Sequence, residues 1–275
     1  MMFFKLIYFD IKNGLLKEKI KIIFIPFIFI ILCIVVYLTH SQYGEVNTFG
    51  EYWLYIVGGM KEYIPSKFES FKFPIIWFFI MIYLSYMTLY YPYNDLIGYG
   101  QNVLVRSSGR SRWWLSKCVW NTLSVVAYFL IGITIVLVFC LAFDMKINLN
   151  ISPYMYENVF HINDDICLYP QSISYELLLM PILTAITISQ IQMLLSLWIR
   201  PLYSFVTTVC ILLASSYYVK PYMIGNFAMA TRFDTVITNG VSISDGLIIL
   251  LSIIVITVLI GAISFRHYDI INKEN

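Results

Sequence analysis

The chain has 275 residues, of which 60% are hydrophobic and 12% charged. Soluble domains run at roughly 45–50% apolar and about 25% charged, so too little polar surface remains to coat a soluble globule. A soluble enzyme, a disordered chain and a nucleic-acid binder are excluded, and the net charge of +2 says less than where the charges sit.

In chain order, the first eighteen residues, MMFFKLIYFDIKNGLLKE, place Phe4, Ile7, Ile11 and Leu15 on one helical face and Lys5, Asp10, Lys12, Asn13 and Lys17 away from it. This predicts an interfacial helix over 1–18, lying in a membrane surface with its lysines near anionic headgroups. A plain basic lead-in to a first span is the simpler alternative.

Six apolar runs follow, near 20–37, 74–91, 119–143, 177–199, 202–219 and 247–265. At about 1.5 Å per residue each reaches across a hydrocarbon core of about 30 Å. Tyr37, Tyr90, Tyr91, Trp120, Trp198, Tyr217 and Tyr218 gather near their ends, as interfacial aromatic belts do. The first run lacks a small-residue cleavage site after it and reads as a span, not a signal peptide. Runs four and five are separated only by Arg200 and Pro201, which demands a tight antiparallel hairpin. The expected fold class is therefore an all-α integral membrane protein of six transmembrane helices, one domain over 1–275.

The positive-inside rule orients it. With the N-terminus inside, the inner segments carry Lys5, Lys12, Lys17, Lys19, Lys21, Arg106, Arg110, Arg112, Lys117, Arg200, Arg266 and Lys273. The outer loops carry Lys61, Lys67, Lys72, Lys146, Lys220 and Arg232. This two-to-one bias puts both termini in the cytoplasm of a multi-pass plasma-membrane protein. Of the outer loops, Phe49 to Tyr63 is the best candidate for a short interfacial helix capping a path.

Polar residues inside the runs need partners, because an unpaired hydroxyl or amide in lipid is costly. Thr184, Thr187, Gln190, Gln192 and Ser196 lie in run four, and Ser204, Thr207, Thr208, Ser215 and Ser216 in run five. Tyr83, Tyr86 and Tyr90 recur at helical spacing in run two. Interhelical hydrogen bonding and packing are the plainer readings. As a path lining, Tyr83, Tyr86, Tyr90, Thr187, Gln190, Thr207 and Thr208 are the candidates. The runs hold no relay of buried Asp, Glu or His such as a proton-driven pump would want.

The stretch PYNDLIGYGQNVLVRSSGRSRWWLSKCVWN, Pro92 to Asn121, is the most informative. Asn94-Asp95 reads as a helix cap, a short mixed segment follows, and a basic Ser/Gly turn with Arg106, Arg110 and Arg112 leads to Trp113 and Trp114 at the membrane. A positive-inside loop with an aromatic anchor explains the arginines and tryptophans but not the short segment before them.

VRSSGRSRWWLSK resembles the first cytoplasmic loop of ABC-2 type permeases of Gram-positive bacteria, the membrane subunits of ATP-binding-cassette exporters. THSQYGEVNTFGEYWLYIVGGMKEY with FKFPIIWFF resembles their outer loop and second span. PYMIGNFAMATRFD resembles their outer G-N-x-x-M-x-x-R segment. The resemblance implies an interfacial N-terminal helix, six spans, and a coupling helix, here 94–106, that docks on a cytoplasmic ATPase. It also implies a second permease protomer, the same or related. The coupling contacts would be Asn94, Asp95, Leu96, Ile97, Val103, Leu104 and Arg106, with Leu96 and Ile97 foremost. ATP and Mg would be bound by the partner ATPase, since no G-x-x-x-x-G-K-[ST] occurs here.

Nothing points to catalysis or a resident metal or cofactor. His40, His161 and His267 are scattered, no H-E-x-x-H occurs, and no C-x-x-C is found among the five cysteines. The expected function is a permease moving a hydrophobic or amphipathic substrate (peptide, antibiotic or lipid) outward. The alternative is a non-transporting sensor or immunity subunit that binds an extracellular compound.

Overall fold

Each apolar run forms a helix, the local structure that satisfies every backbone group within its own segment. The computed structural model describes residues 2–17, 19–40, 46–63, 71–98, 100, 110–162, 165–172 and 175–266. Its α-helices are α1 (Met2–Lys17), α2 (Lys19–Thr39), α3 (Phe49–Val57), α4 (Ile75–Leu89), α5 (Tyr91–Ile97), α6 (Arg110–Ala142), α7 (Glu176–Ile199), α8 (Pro201–Tyr217) and α9 (Ile243–Arg266). A π-helical turn, Met155–Val159, and two 3-10 turns, Ile224–Ala228 and Ala230–Arg232, complete it. Among the described residues there is no strand, only isolated bridges such as Thr48 with Lys146.

Five helices are long and apolar enough to cross a membrane: Lys19–Thr39, Ile75–Ile97 (α4 continuing into α5), Arg110–Ala142, Leu177–Ile199 and Ile243–Arg266. The sixth apolar helix, α8, has 17 residues. At about 1.5 Å per residue it covers about 25 Å, less than a full hydrocarbon core. The outer faces of α2 and α9 remain apolar and exposed, with Ile23, Phe27 and Ile31 on one and Ile248, Val255 and Leu259 on the other. A patch of this extent is compatible with lipid contact.

Successive long helices reverse direction, so their connections collect at two ends. The basal end holds α1, α5, the start of α6 and the Arg200–Pro201 turn. The apical end holds α3, the π-helical turn and the 3-10 turns. Arg200 makes its one-residue reversal at φ 72, and Pro201 opens α8 with its ring in the first turn. The hub is α6, which packs on α1, α2, α3, α4, α7 and α9. The core beside it is aromatic: Phe29 stacks on Trp53 with centroids 6.5 Å apart and meets Tyr128 edge-on at 5.7 Å.

Three elements differ from the sequence expectation. First, α3 is not a half-exposed surface helix. Eight of its residues are buried among α2, α4 and α6, and Trp53 Nε1 donates to the Leu177 carbonyl at 3.3 Å. Its apolar positions face protein on nearly every side, a distinction that periodicity cannot draw. Glu51 fixes it, closing a capping box with Thr48 and accepting from Ser152 N at 3.0 Å.

Second, α1 forms as expected, with Phe4 and Tyr8 exposed, but it also turns Asp10 and Gly14 into the bundle. Third, Asn94 caps nothing. The short helix starts at Tyr91 with Pro92 in its first turn and ends at Ile97, so Asn94 and Asp95 lie inside it.

Candidate functional site

The basal end holds a buried charge cluster. Asp10 and Gly14 are four residues apart on α1; Trp113, Lys117 and Asn121 have the same spacing on α6, so each set shares a helical face. At Gly14 the two helices close up: a Cβ there would stand 2.1 Å from Trp120 Nε1, so only glycine fits. That approach brings Asp10 against α6. Lys117 Nζ donates to Asp10 Oδ1 at 2.5 Å and lies 2.6 Å from Asp95 Oδ2. Ser116 Oγ donates to the other Asp10 oxygen, and Tyr91 OH donates to Asp10 Oδ1 at 3.1 Å. Trp113 Nε1 donates to Asp95 Oδ2 at 3.0 Å. The Lys117 ammonium also sits over the Tyr91 and Trp113 rings, 4.8 and 5.1 Å from their centroids.

All three charged side chains are almost completely buried. Burial at this level requires pairing and further hydrogen bonds, and the Lys117 ammonium, the three neutral donors Ser116, Tyr91 and Trp113, and the two rings supply them. One lysine thus joins α1, α5 and α6. The sequence reading missed this cluster because α6 begins at Arg110, not near 119, and carries Lys117 into the bundle. Likewise α4 runs on through α5 and carries Asp95 in. The helices therefore hold buried acids and a base that the apolar runs themselves do not. The available signal was the set of charges interleaved with Trp113, Trp114 and Trp120.

The expected coupling residues divide between two faces of α5. Asp95 and Leu96 are buried, and Leu96 packs in a basal cluster with Trp113, Trp114, Leu197 and Phe265. Leu96 is therefore not presented to a partner in this conformation. Asn94 and Ile97, three residues apart on the other face, are exposed. Val103, Leu104 and Arg106 lie outside the described residues.

The expected path residues do not converge on one channel. Tyr83 OH donates to the Lys21 carbonyl at 2.7 Å, and the Lys21 ammonium lies 4.3 Å from the Tyr86 centroid and 5.7 Å from that of Tyr90. The three tyrosines thus seat the start of α2. Gln190 Nε2 donates to the Cys118 carbonyl at 2.9 Å and to Thr122 Oγ1 at 3.1 Å, linking α7 to α6. Thr208 Oγ1 donates to Gln192 Oε1 at 3.1 Å, and Gln192 Nε2 to the Ser85 carbonyl at 2.8 Å, linking α8, α7 and α4. Thr187 and Thr207 donate back to Leu183 and Tyr203 of their own helices.

A second polar centre lies at the apical end, where the G-N-x-x-M-x-x-R residues fold over the end of α8. Gly225 N donates to Ser215 Oγ at 3.1 Å, and a Cβ on Gly225 would stand 2.6 Å from Ser215 Cβ. Asn226 Nδ2 donates to the Tyr218 and Lys220 carbonyls at 2.8 and 3.0 Å. Arg232, fully buried, donates from Nε to the Met60 carbonyl at 3.0 Å and from Nη2 to Lys61 at 3.4 Å and Ser216 at 2.6 Å. Its Nη1 donates to the Ser215 carbonyl and to Asn226 Oδ1, each at 2.5 Å. The guanidinium caps the carbonyl end of α8 and ties it to the segment after α3, where a cation suits the helix dipole. Desolvation pushes Arg232 down to about 10, partly offset by Glu62, and it stays charged at neutral pH.

These centres belong to an all-helical protein with several membrane-length apolar helices. No protein-family model, curated protein or solved structure matches the chain.

Proposed function

We propose that this chain is the membrane-spanning permease subunit of an ATP-binding-cassette exporter, with α8 as a sixth, short span and both termini cytoplasmic. On this reading a separate ATPase supplies the work and a hydrophobic or amphipathic substrate moves outward. The observation that carries the proposal is the shared lysine. Asp95 of α5 and Asp10 of α1 both meet Lys117 of α6, so force applied to α5 reaches α4, α6 and α1 together. A subunit without a nucleotide motif must receive work through such a contact. The exposed Asn94–Ile97 face is the proposed contact, while Asp95 and Leu96 form its inner anchor.

The test is purification of the tagged chain from its own cells in mild detergent. An ATP-binding-cassette ATPase should co-purify with measurable ATP hydrolysis, and Ile97→Asp should lose it while the chain still extracts as a folded monodisperse species. A folded wild-type chain that carries no ATPase activity under these conditions contradicts the proposal and favours the sensor or immunity reading.

A further inference from the structure

In the basal half of the bundle α1, α2, α4 and α6 leave a narrow slot of about 70 Å³ between them. It has room for several water-sized groups but lies well below the roughly 300 Å³ at which small-molecule sites begin, so its occupant must be slender. Trp120, Ser124, Ala127 and Ile131 line it at helical spacing along one face of α6, a reach of about 16 Å. The small side chains of Ser124 and Ala127 make the groove. Gly14 of α1 and Ile22 and Ile25 of α2 line it as well.

This lining holds one orphaned polar atom. Trp120 is 3% exposed, and its Nε1 has no hydrogen-bond partner among the described residues. A buried indole N–H ordinarily finds a partner, and an indole can only donate. The N–H edge is the part of the ring that stands against Gly14, itself a lining residue, so the orphaned donor belongs to the wall of the slot. The hydroxyls in the lining are already engaged: Ser124 Oγ donates to the Trp120 carbonyl at 2.9 Å, and Tyr128 OH to the Ile80 carbonyl at 3.3 Å. A water placed there meets one free donor in an otherwise apolar lining and lacks the two to four partners it needs.

The slot gives onto an apolar flank. Ala127 is exposed, and beside it on α6 so are Leu123 and Leu130. The helix is of membrane length, so that flank faces hydrocarbon, and Trp120 stands near the start of its apolar run, the depth at which tryptophans collect beneath the headgroups. We propose that the slot is a binding site for one ester-linked chain of a bilayer glycerolipid. The ester carbonyl accepts from Trp120 Nε1, and the methylenes pass Ser124 and Ala127 toward Ile131. An ester is the acceptor that such a lipid carries at this depth, whereas a plain hydrocarbon leaves the N–H unpaired. The seated chain lies against α1 at Gly14, one helical turn from Asp10 and its contact with Lys117. The assignment stands independently of any ATPase.

The experiment is photolabelling of the full chain in nanodiscs of ether-linked phosphatidylcholine, so that bulk lipid offers no competing ester. Two phosphatidylcholine probes carry a diazirine at the same mid-chain carbon, one with its chains ester-linked and one with them ether-linked, and labelled fragments are read by mass spectrometry. Both should label the exposed face of α9 around Ile248 alike, which normalises for partition. The ester probe should label Ile22, Ile25 and the Ser124–Ile131 stretch at least fivefold more than the ether probe. Trp120→Phe, which keeps a ring and removes the N–H, should bring ester labelling down to the ether level. Ala127→Phe, a change at an exposed position that fills the slot, should remove labelling of Ile22 and Ile25 while α9 labels as before. Equal labelling of the slot by the two probes, as unspecific surrounding lipid gives, overturns the assignment. So does an excess that survives Trp120→Phe, or labelling of Ile22 and Ile25 that survives Ala127→Phe. The ester–ether comparison is made on the unaltered chain and decides the matter even where a variant does not fold.

Discussion

Asp10 and Lys117, 107 residues apart in the sequence, meet at 2.5 Å in a site with almost no solvent access. The contact makes α1 part of the bundle and does not leave it as a loose surface helix. Since Asp95 shares the same ammonium at 2.6 Å, two acids depend on one base.

Removal of that base should be costly. Lys117→Met leaves two carboxylates buried without a cation and is expected to destabilise by about 3–5 kcal/mol, the usual range for breaking a buried ion pair. Asp10→Asn and Asp95→Asn, combined with Lys117→Met, should recover much of the loss, because neutral amides of similar shape replace the stranded charges. Thermal unfolding in detergent measures both. A loss under about 1 kcal/mol for Lys117→Met, typical of surface pairs, would contradict the burial of this cluster.

At the apical end, Arg232→Met should orphan the carbonyls of Ser215, Ser216 and Met60, each at a cost of about 1–3 kcal/mol. Arg232→Lys should recover only part, because an ammonium has three donors and cannot reproduce the planar fork. Hydrogen exchange should localise the loss to the end of α8 and to residues 58–61. Uniform loosening of the whole chain, or none, would count against the clamp.

The helices were legible because long apolar runs admit few structures, and the Arg200–Pro201 hairpin followed from a connection of two residues. What lay hidden were pairings at long range. Lys117 and Arg232 read as ordinary loop cations, since a lone basic residue in a polar stretch is usually solvated. Their burial depends on partners distant in sequence: Asp10 for one and the carbonyls of Met60 and Ser216 for the other. Leu96 and Ile97 were equivalent as letters; only the direction of α5 relative to α6 separates the buried one from the exposed one. The G-N-x-x-M-x-x-R spacing was visible, but its task of closing the end of α8 required the fold.

Tyr156 gives an alkaline signature. Its hydroxyl donates to the Pro170 carbonyl at 3.1 Å, and burial, with smaller effects from Cys167 and Glu51, raises its pKa well above 10. The folded protein then keeps a proton that the unfolded chain loses, so stability falls as pH climbs past about 10. Tyr156→Phe should flatten that part of the stability profile while lowering stability at neutral pH, where the bond to Pro170 is lost. An unchanged slope above pH 10 would show that the hydroxyl reaches water.

The proposed sidedness, with both termini cytoplasmic, rests on the charge bias. Four of the native cysteines are buried and only Cys210 is exposed, so a Cys210→Ser background should be nearly silent to an impermeant thiol reagent. In intact cells Asp165→Cys should label from outside, and Ser108→Cys only after permeabilisation. The reverse pattern would invert the assigned orientation, and labelling of both from outside would break the alternation of the spans.

If α5 hands force from an ATPase to the bundle, as proposed, a photocrosslinking amino acid placed at single positions will reveal the contact. At Ile97, on the exposed face of α5, it should capture an ATP-binding-cassette ATPase in living cells. At Tyr222, also exposed but at the apical end, it should not. Capture from Ile97 alone is the predicted result; no ATPase adduct at Ile97, or equal capture from Tyr222, would contradict the coupling account.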